Sequence, residues 1–374
     1  MALSLFSCAD STNTNDEVNT AYEADPVIAA PPEQSDEFAV GIFNYLANNE
    51  TGNFIFSPAA AESALRMLSE GAAGVTLDEL SALPMGEPDT PSALQISTAS
   101  RLFADENVAL KPTAKNVERV PFSDAPDKAG KAINAWSHEL TDGKIHKAVN
   151  PGELNSDLRL LAVSAAHLHA LWLRPFSKAD TDKRPFYLEN GKQINVDMMF
   201  LKEQVLYAEG ADWEAVALFY RRDTRKGEPG CFVAILPKGD ARDFAAKLTA
   251  AKLTTIRAAL AVAKPEKVLL DLPRFEFNTR ATSLKSALIS LGVLRLFSAA
   301  NLSAMAGEPL SLDDLVQSCS IKVDEQDAQA DASRDAIVPG ESAAHITFDR
   351  PFLWYVGDIS SEAAPFFMGM VFHP

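Results

Sequence analysis

Residues 53–71 read NFIFSPAAAESALRMLSEG, and the change of pattern inside this stretch decides the fold class. Asn53-Phe54-Ile55-Phe56 is a short aromatic and β-branched run, which fits a buried strand. Ser57-Pro58 then marks a helix start, because serine caps the first free N–H groups and proline's fixed φ suits the first helical position. The helix formers that follow run to Gly71, a natural stop. Upstream, residues 37–49 (EFAVGIFNYLANN) place Phe38, Ile42, Tyr45 and Leu46 at helical spacing. Downstream, residues 126–142 put Ala129, Ala132, Ile133, Trp136 and Leu140 on one helix face. The pattern then turns to strands at 158–172 (LRLLAVSAAHLHALW), 231–237 (CFVAILP), 267–277 (KVLLDLPRFEF), 351–357 (PFLWYVG) and 364–372 (APFFMGMVF). Helices come first and many strands follow without regular alternation, so the expected class is α+β with large mixed or antiparallel sheets.

The chain has 374 residues, with 34 Lys and Arg against 51 Asp and Glu, a formal net charge of −17. Affinity for phosphate needs clustered basic residues, so this balance argues against a nucleic-acid or polyanion binder. No run of 18 or more apolar residues is present, which excludes a helix that spans a membrane. The 3 cysteines are too few and odd in number for a disulfide framework. Cys231 and Cys319 fall in apolar, strand-like runs and read as buried thiols.

The first residues are MALSLFSC, and Leu5-Phe6-Ser7-Cys8 has the spacing of a bacterial lipoprotein signal in which the cysteine is lipidated. The basic start and long apolar stretch of a full secretory segment are missing from it. Residues 9–36 are polar, acidic and carry Pro31-Pro32, a composition that reads as a flexible spacer. Two readings of this end stand: a lipid-anchored surface protein on a tether, or a tail with an unused cysteine. Residues 1–36 are thus set apart from a single domain over 37–374, in which no further linker and no internal repeat occurs.

No GxSxG elbow, HExxH, P-loop or dinucleotide fingerprint occurs, so no catalytic residue and no cofactor is expected. His167 and His169 share one face of a strand, but nothing is spaced to complete a metal site with them. On these grounds alone the chain is a large α+β protein without visible catalysis.

A series of short motifs carries the reading further. Asn53 to Pro58 is followed by Asn134-Ala135-Trp136 with Thr141-Asp142-Gly143-Lys144-Ile145, then by Trp172, Pro175-Phe176 and Arg184-Pro185-Phe186. Val196 to Met199, Leu236-Pro237-Lys238, Leu272 to Phe275, Phe297 to Leu302, Arg350-Pro351-Phe352 and Phe367-Met368-Gly369 come next in order. In this arrangement, over about 335 residues, the chain resembles a serpin. The resemblance implies the serpin fold, with a large mixed β-sheet, further sheets, a cluster of helices and an exposed C-terminal reactive loop. It also implies a metastable suicide inhibitor: a protease cleaves the loop, which inserts as a strand in the large sheet and carries the acylated protease with it. The implied partner is a serine-type, or cysteine, protease in a covalent acyl complex, with the inhibitor a monomer that is extracellular or, from the lipoprotein-like start, on the bacterial cell surface or in the periplasm.

The loop is expected over 325–347, with its hinge at Glu325, Asp327, Ala328, Ala330 and Ala332. An inserting strand needs small or apolar side chains at alternate positions. Starting from Ala328, the inward set is Ala328, Ala330, Ala332, Arg334, Ala336, Val338 and Gly340, and Arg334 is the misfit, since burying a guanidinium costs several kcal/mol unless it reaches water. Asp327 stands where the family prefers glycine. The sheet-opening region is assigned by resemblance to Ser57, Ser164, Gln317, Trp172 and Arg274. Ser57 keeps the family residue, whereas Ala60, Ser164 and Gln317 replace a serine, an asparagine and a histidine, which leaves two alternatives: Ser57, Ser164 and Gln317 form a substitute network, or the gate is altered. Glu325 and Arg274 match an acidic–basic pair at the top of the sheet, where a surface pair contributes little.

Counting forward from Glu325 puts the cleaved residue at Glu341; counting back from Phe352 puts it at Gly340. Glu341-Ser342 is the favoured bond and predicts a protease that prefers acidic residues, with Val338 or Ile337 as the alternative for enzymes with apolar pockets. Segment 81–94 lacks basic residues, so no polysaccharide activator is expected. Two functions follow. The Ala series favours an inhibitor; Asp327 and Arg334 favour a non-inhibitory binding or chaperone-like module that proteases cleave as a substrate.

Overall fold

The strand and helix at 54–71 form as the sequence requires. In the computed structural model, which describes residues 34–86, 95–141, 143–221, 230–278, 281–325, 343–359 and 364–374, β1 is Phe54–Phe56 and α2 is Pro58–Gly71. Ser57 caps α2, its Oγ accepting from Ala60 N at 3.3 Å. Before them α1 spans Gln34–Asn49, and after them come α3 (Gly74–Ser81), β2 (Gln95–Asp105), β3 (Val117–Val120) and α4 (Pro126–Leu140). Then follow β4 (Leu160–His169), β5 (Asp182–Tyr187), β6 (Gln193–Glu209), β7 (Trp213–Phe219), β8 (Cys231–Pro237), α5 (Ala241–Ala246) and α6 (Ala250–Val262). The last third holds β9 (Glu266–Pro273), β10 (Phe275–Asn278), β11 (Thr282–Ser283), α7 (Lys285–Ser290), β12 (Asp314–Val323), β13 (Ala344–Thr347), β14 (Phe352–Gly357) and β15 (Phe367–Val371).

The boundary expected at residue 36 falls inside α1. The physical reason is Asp36, which is buried and pairs with the equally buried Arg257 of α6 at 3.1 Å. Burial pushes the Asp36 carboxyl up, and the Arg257 guanidinium pulls against that shift.

Among the described residues the strands form two mixed sheets. The smaller has six strands in the order β10-β12-β4-β2-β3, with β11 also on β12. Its central pair, β4 and β12, is parallel and directly hydrogen-bonded from Leu161 opposite Asp314 to His167 opposite Ser320. The larger runs β1-β15-β14-β8-β7-β6-β9-β13, with β5 also on β6. β8 and β14, buried along their whole length, read as unbroken apolar runs for that reason. Cys231 and Cys319 lie in the interior without a disulfide, where burial pushes both thiols up.

Alternation on β12 and β4 divides the six-stranded sheet into two faces. Leu315, Gln317, Cys319, Ile321 and Val323 point to the helices and the second sheet. Val163, Ala165 and Val316 point the other way, into a separate core beneath α4 that includes Ile133, Trp136, Ile145, Ala148 and Val149.

Candidate functional site

The parallel pair β4 and β12 forms a seam at the centre of the six-stranded sheet. Ser57, Ser164 and Gln317 meet beneath it, all buried. Ser57 N donates to Gln317 Oε1 at 2.7 Å, and Gln317 Nε2 donates to Ser57 O at 2.9 Å. Gln317 Nε2 also lies 3.5 Å from Ser164 Oγ, directly across the seam, since Gln317 and Ser164 are register partners. Ser100 Oγ of β2 donates to Ala60 O at 2.9 Å, so the start of α2 is held by strands on both sides of the seam. The carboxamide supplies one donor and one acceptor at fixed spacing, which matches the Ser57 peptide group and no ordinary hydrophobic side chain.

At the top of the seam, Trp172 Nε1 donates to Asp324 O at 2.8 Å and the indole stacks on Tyr220, with ring centres 4.5 Å apart and planes 10° apart. The pair expected at the surface is half-buried: Glu325 is only 3% exposed, takes a hydrogen bond from Thr181 Oγ1 at 2.7 Å and lies 3.7 Å from the Arg274 guanidinium. Glu325 therefore anchors the chain rather than belonging to an open loop. Arg274 also pairs with Asp197, which Lys183 reaches at 2.8 Å. The hydrogen bond from Lys183, with Arg274 beside it, holds the Asp197 carboxyl below the usual range.

The far end of the expected loop is fixed as well. Ala344–Thr347 is β13, parallel to β9, so the C-terminal part of the stretch expected as loop over 325–347 is an ordered strand. The buried Asp271 carboxylate sits 3.1 Å from His345 Nε2 and 3.5 Å from the Arg184 guanidinium, and accepts from Thr347 Oγ1 at 3.2 Å. Lys183 and Arg184 are adjacent on β5, so one strand serves both ends of the loop. The hinge residues Asp327, Ala328, Ala330 and Ala332, the bond Glu341-Ser342, Arg334 and the lipidation candidate Cys8 lie outside the described residues.

Over the opposite face of the seam lies a strap that sequence reading quoted only as a motif. Residues 145–149 leave α4 and cross the sheet, with Ile145, Ala148 and Val149 packed on Val163, Ala165 and Val316. Ser318 Oγ of β12 donates to Ala148 O at 3.2 Å. The motif residues tie the strap to α4: Asn134 Nδ2 donates to Val149 O at 3.0 Å, Val149 N donates to Asn134 Oδ1 at 2.9 Å, and Ile145 N donates to Thr141 Oγ1 at 3.0 Å. Asparagine and threonine followed by three apolar residues were the available sign. Among the described residues no group of three or more His, Cys, Asp or Glu is placed to hold a metal.

This arrangement has close counterparts. Residues 33–374 match the model of the family described as serpin, serine protease inhibitor. An uncharacterized serpin-like protein of Methanosarcina acetivorans is 26% identical, aligned over 96% of this chain and 90% of its own. Antithrombin-III of Mus musculus is 24% identical over 91% of this chain and 81% of its own. Among solved structures, uncleaved ovalbumin superposes with a TM-score of 0.79 at 23% identity, covering 92% of this chain and 100% of ovalbumin. Tengpin, a thermophilic serpin in its native state, gives 0.78 at 21%, covering 91% and 94%. With a family match across the whole described fold, and a two-sheet architecture that superposes on solved members, this chain belongs to the serpin family.

Proposed function

We propose that this chain is a suicide inhibitor of serine-type proteases that acts by loop cleavage and strand insertion. The observation that carries the reading is the direct pairing of β4 with β12. These strands are parallel, and the chain leaving β12 must reverse to return between them, so an inserted segment would run antiparallel to both neighbours and gain two ladders in place of one. Residues 326–341, extended at about 3.3 Å each, are long enough to fill the height of the ten-residue β12.

The chemistry places the protease's serine Oγ on the carbonyl of Glu341. The Glu341–Ser342 peptide bond breaks, the Ser342 nitrogen leaves with a proton as a new N-terminus, and an ester joins Glu341 to the protease. Water normally hydrolyses that ester; insertion of 326–341 moves it away before water completes the step. Glu341 predicts an acid-preferring protease, and a cut at Val338 or Ile337 predicts one with an apolar pocket. The setting is extracytoplasmic, with Cys8 as a lipid attachment point, a monomeric inhibitor and no polysaccharide activator.

Arg334 favours a second reading, a non-inhibitory binding module cleaved as a substrate, because an inserted Arg334 would bring a guanidinium under the sheet. Incubation with Glu-specific, elastase-like, subtilisin-like and trypsin-like proteases separates the two. A detergent-stable complex on a denaturing gel, with the cut mapped by mass spectrometry, is the result expected. Clean cleavage between 337 and 343 with no complex overturns the inhibitor and leaves the binding module.

A further inference from the structure

We propose that His138 and His146 form a two-histidine site for a borderline transition-metal ion, zinc above all, which staples the strap to α4 over the seam. His138 is in the last turn of α4 and His146 is in the strap, between Ile145, buried on the sheet, and Lys147. Both imidazoles are exposed, and their ring centres lie 4.9 Å apart with planes tilted by 41°. With Zn–N bonds of about 2.0 Å, two imidazoles on one tetrahedral ion hold their ring centres about 5 Å apart, so the rings already have the spacing of a shared ion.

The backbone sets this spacing. Gly143, at φ +75°, turns the chain back toward α4, and its N–H donates to His138 O at 2.8 Å. A Cβ on Gly143 would lie 3.3 Å from His138 Nε2, so that ring nitrogen faces the turn leading to the strap. The Ile145 N–H bond to Thr141 then fixes the residue next to His146. Among the described residues neither imidazole has a hydrogen bond or ion pair, so the nitrogen lone pairs are not committed to another partner.

The donor set selects the ion. Imidazole suits zinc, copper and nickel, whereas calcium and magnesium take oxygen ligands. No third described His, Cys, Asp or Glu joins the pair, so water fills the remaining positions and the ion exchanges freely. A bound ion bridges the end of α4 and the strap, which must be lifted for β4 and β12 to part. The site therefore makes opening of the seam depend on metal.

The binding claim stands on this geometry alone, and its effect on inhibition rests on the inhibitor reading. Titration of the intact full chain with zinc sulfate, followed by calorimetry, is expected to show one site. His138→Ala and His146→Ala each weaken it at least about tenfold, and the double variant weakens it at least as much as either single one. Zinc slows amide exchange at Ile145 and Val149 in the parent and not in the variants, a readout that needs no protease. Both rings are exposed, so the variants fold, as an unchanged melting temperature without zinc verifies. Equal zinc binding by the double variant, or no binding up to millimolar zinc, overturns the proposal. If zinc binds and slows exchange but no protease complex ever forms, the inhibitor reading fails and the metal site stands.

Discussion

Replacing Gln317 by alanine tests how the seam is held shut. Gln317 Oε1 is the partner of the buried Ser57 N–H at 2.7 Å, and its Nε2 serves Ser57 O at 2.9 Å. The two losses differ in size. Ser57 O also accepts from Ala61 N at 3.1 Å and stays satisfied, whereas the buried Ser57 N–H keeps only the weak acceptor sulfur of Cys319, whose thiol itself loses Gln317 Oε1 at 3.4 Å. An orphaned buried donor costs about 1–3 kcal/mol and a lost second bond about 0.5–1 kcal/mol, and the 3.5 Å approach to Ser164 adds little. The sum is roughly 2–4 kcal/mol against the closed seam. A chain this long shifts its melting point by about 2 °C per kcal/mol, so Gln317→Ala should melt about 4–8 °C lower in the intact form. Scanning calorimetry and urea unfolding read this directly. Ser164→Ala, which loses only the long contact, should stay within about 0.5 kcal/mol of the parent. A Gln317→Ala protein that melts within 1 °C of the parent would refute the reasoning, because water or strand relaxation would then be satisfying Ser57.

Four further outcomes follow from the same structure. Ala328→Arg should turn inhibition into plain substrate turnover, since a charge at the first inserted position stops the strand; a denaturing gel that still shows complex would mean the register is wrong. Asn134→Ala removes both bonds to Val149 and should destabilise the chain by about 1–3 kcal/mol while speeding Val149 amide exchange, read by NMR or mass spectrometry. Arg257→Met leaves Asp36 buried without its partner and should cost about 3–5 kcal/mol, with Asp36→Leu in the same chain restoring much of it in urea titrations. Asp197 has a depressed carboxyl, so its contribution is complete above the unfolded value of about 3.9 and lost as pH falls through the lower folded value. The stability gap between the parent and Asp197→Asn should thus be constant near neutrality and close in acid; a gap that persists at the acid end would contradict the ion-pair origin.

Local rules made much of this chain readable. Ser57-Pro58 fixes the start of α2 by capping chemistry that needs no tertiary information, and the runs at 231–237 and 352–357 are apolar throughout because their strands are buried on both faces. What sequence could not supply was pairing at a distance. Asp36 sits in an acidic stretch that reads as solvated, and only Arg257, more than 200 residues later, brings it inside. Glu325 looked like a surface charge until Thr181 and Arg274 closed around it. The motif around Asn134 and Thr141 could be quoted by resemblance, but its reason, a strap tied across the seam, depends on Ser318 of a strand far along the chain. Ser57, Ser164 and Gln317 come together because α2, β4 and β12 converge, which no local pattern states.

The most direct measurement compares the melting of the intact chain with that of the same chain cut once between residues 337 and 343. Insertion replaces the β4–β12 ladder by two ladders, a gain of several hydrogen bonds at roughly 1 kcal/mol each, so the cut protein should melt higher by on the order of 10 °C or more. A cut protein that melts at or below the intact one would contradict strand insertion and, with it, inhibition by this mechanism.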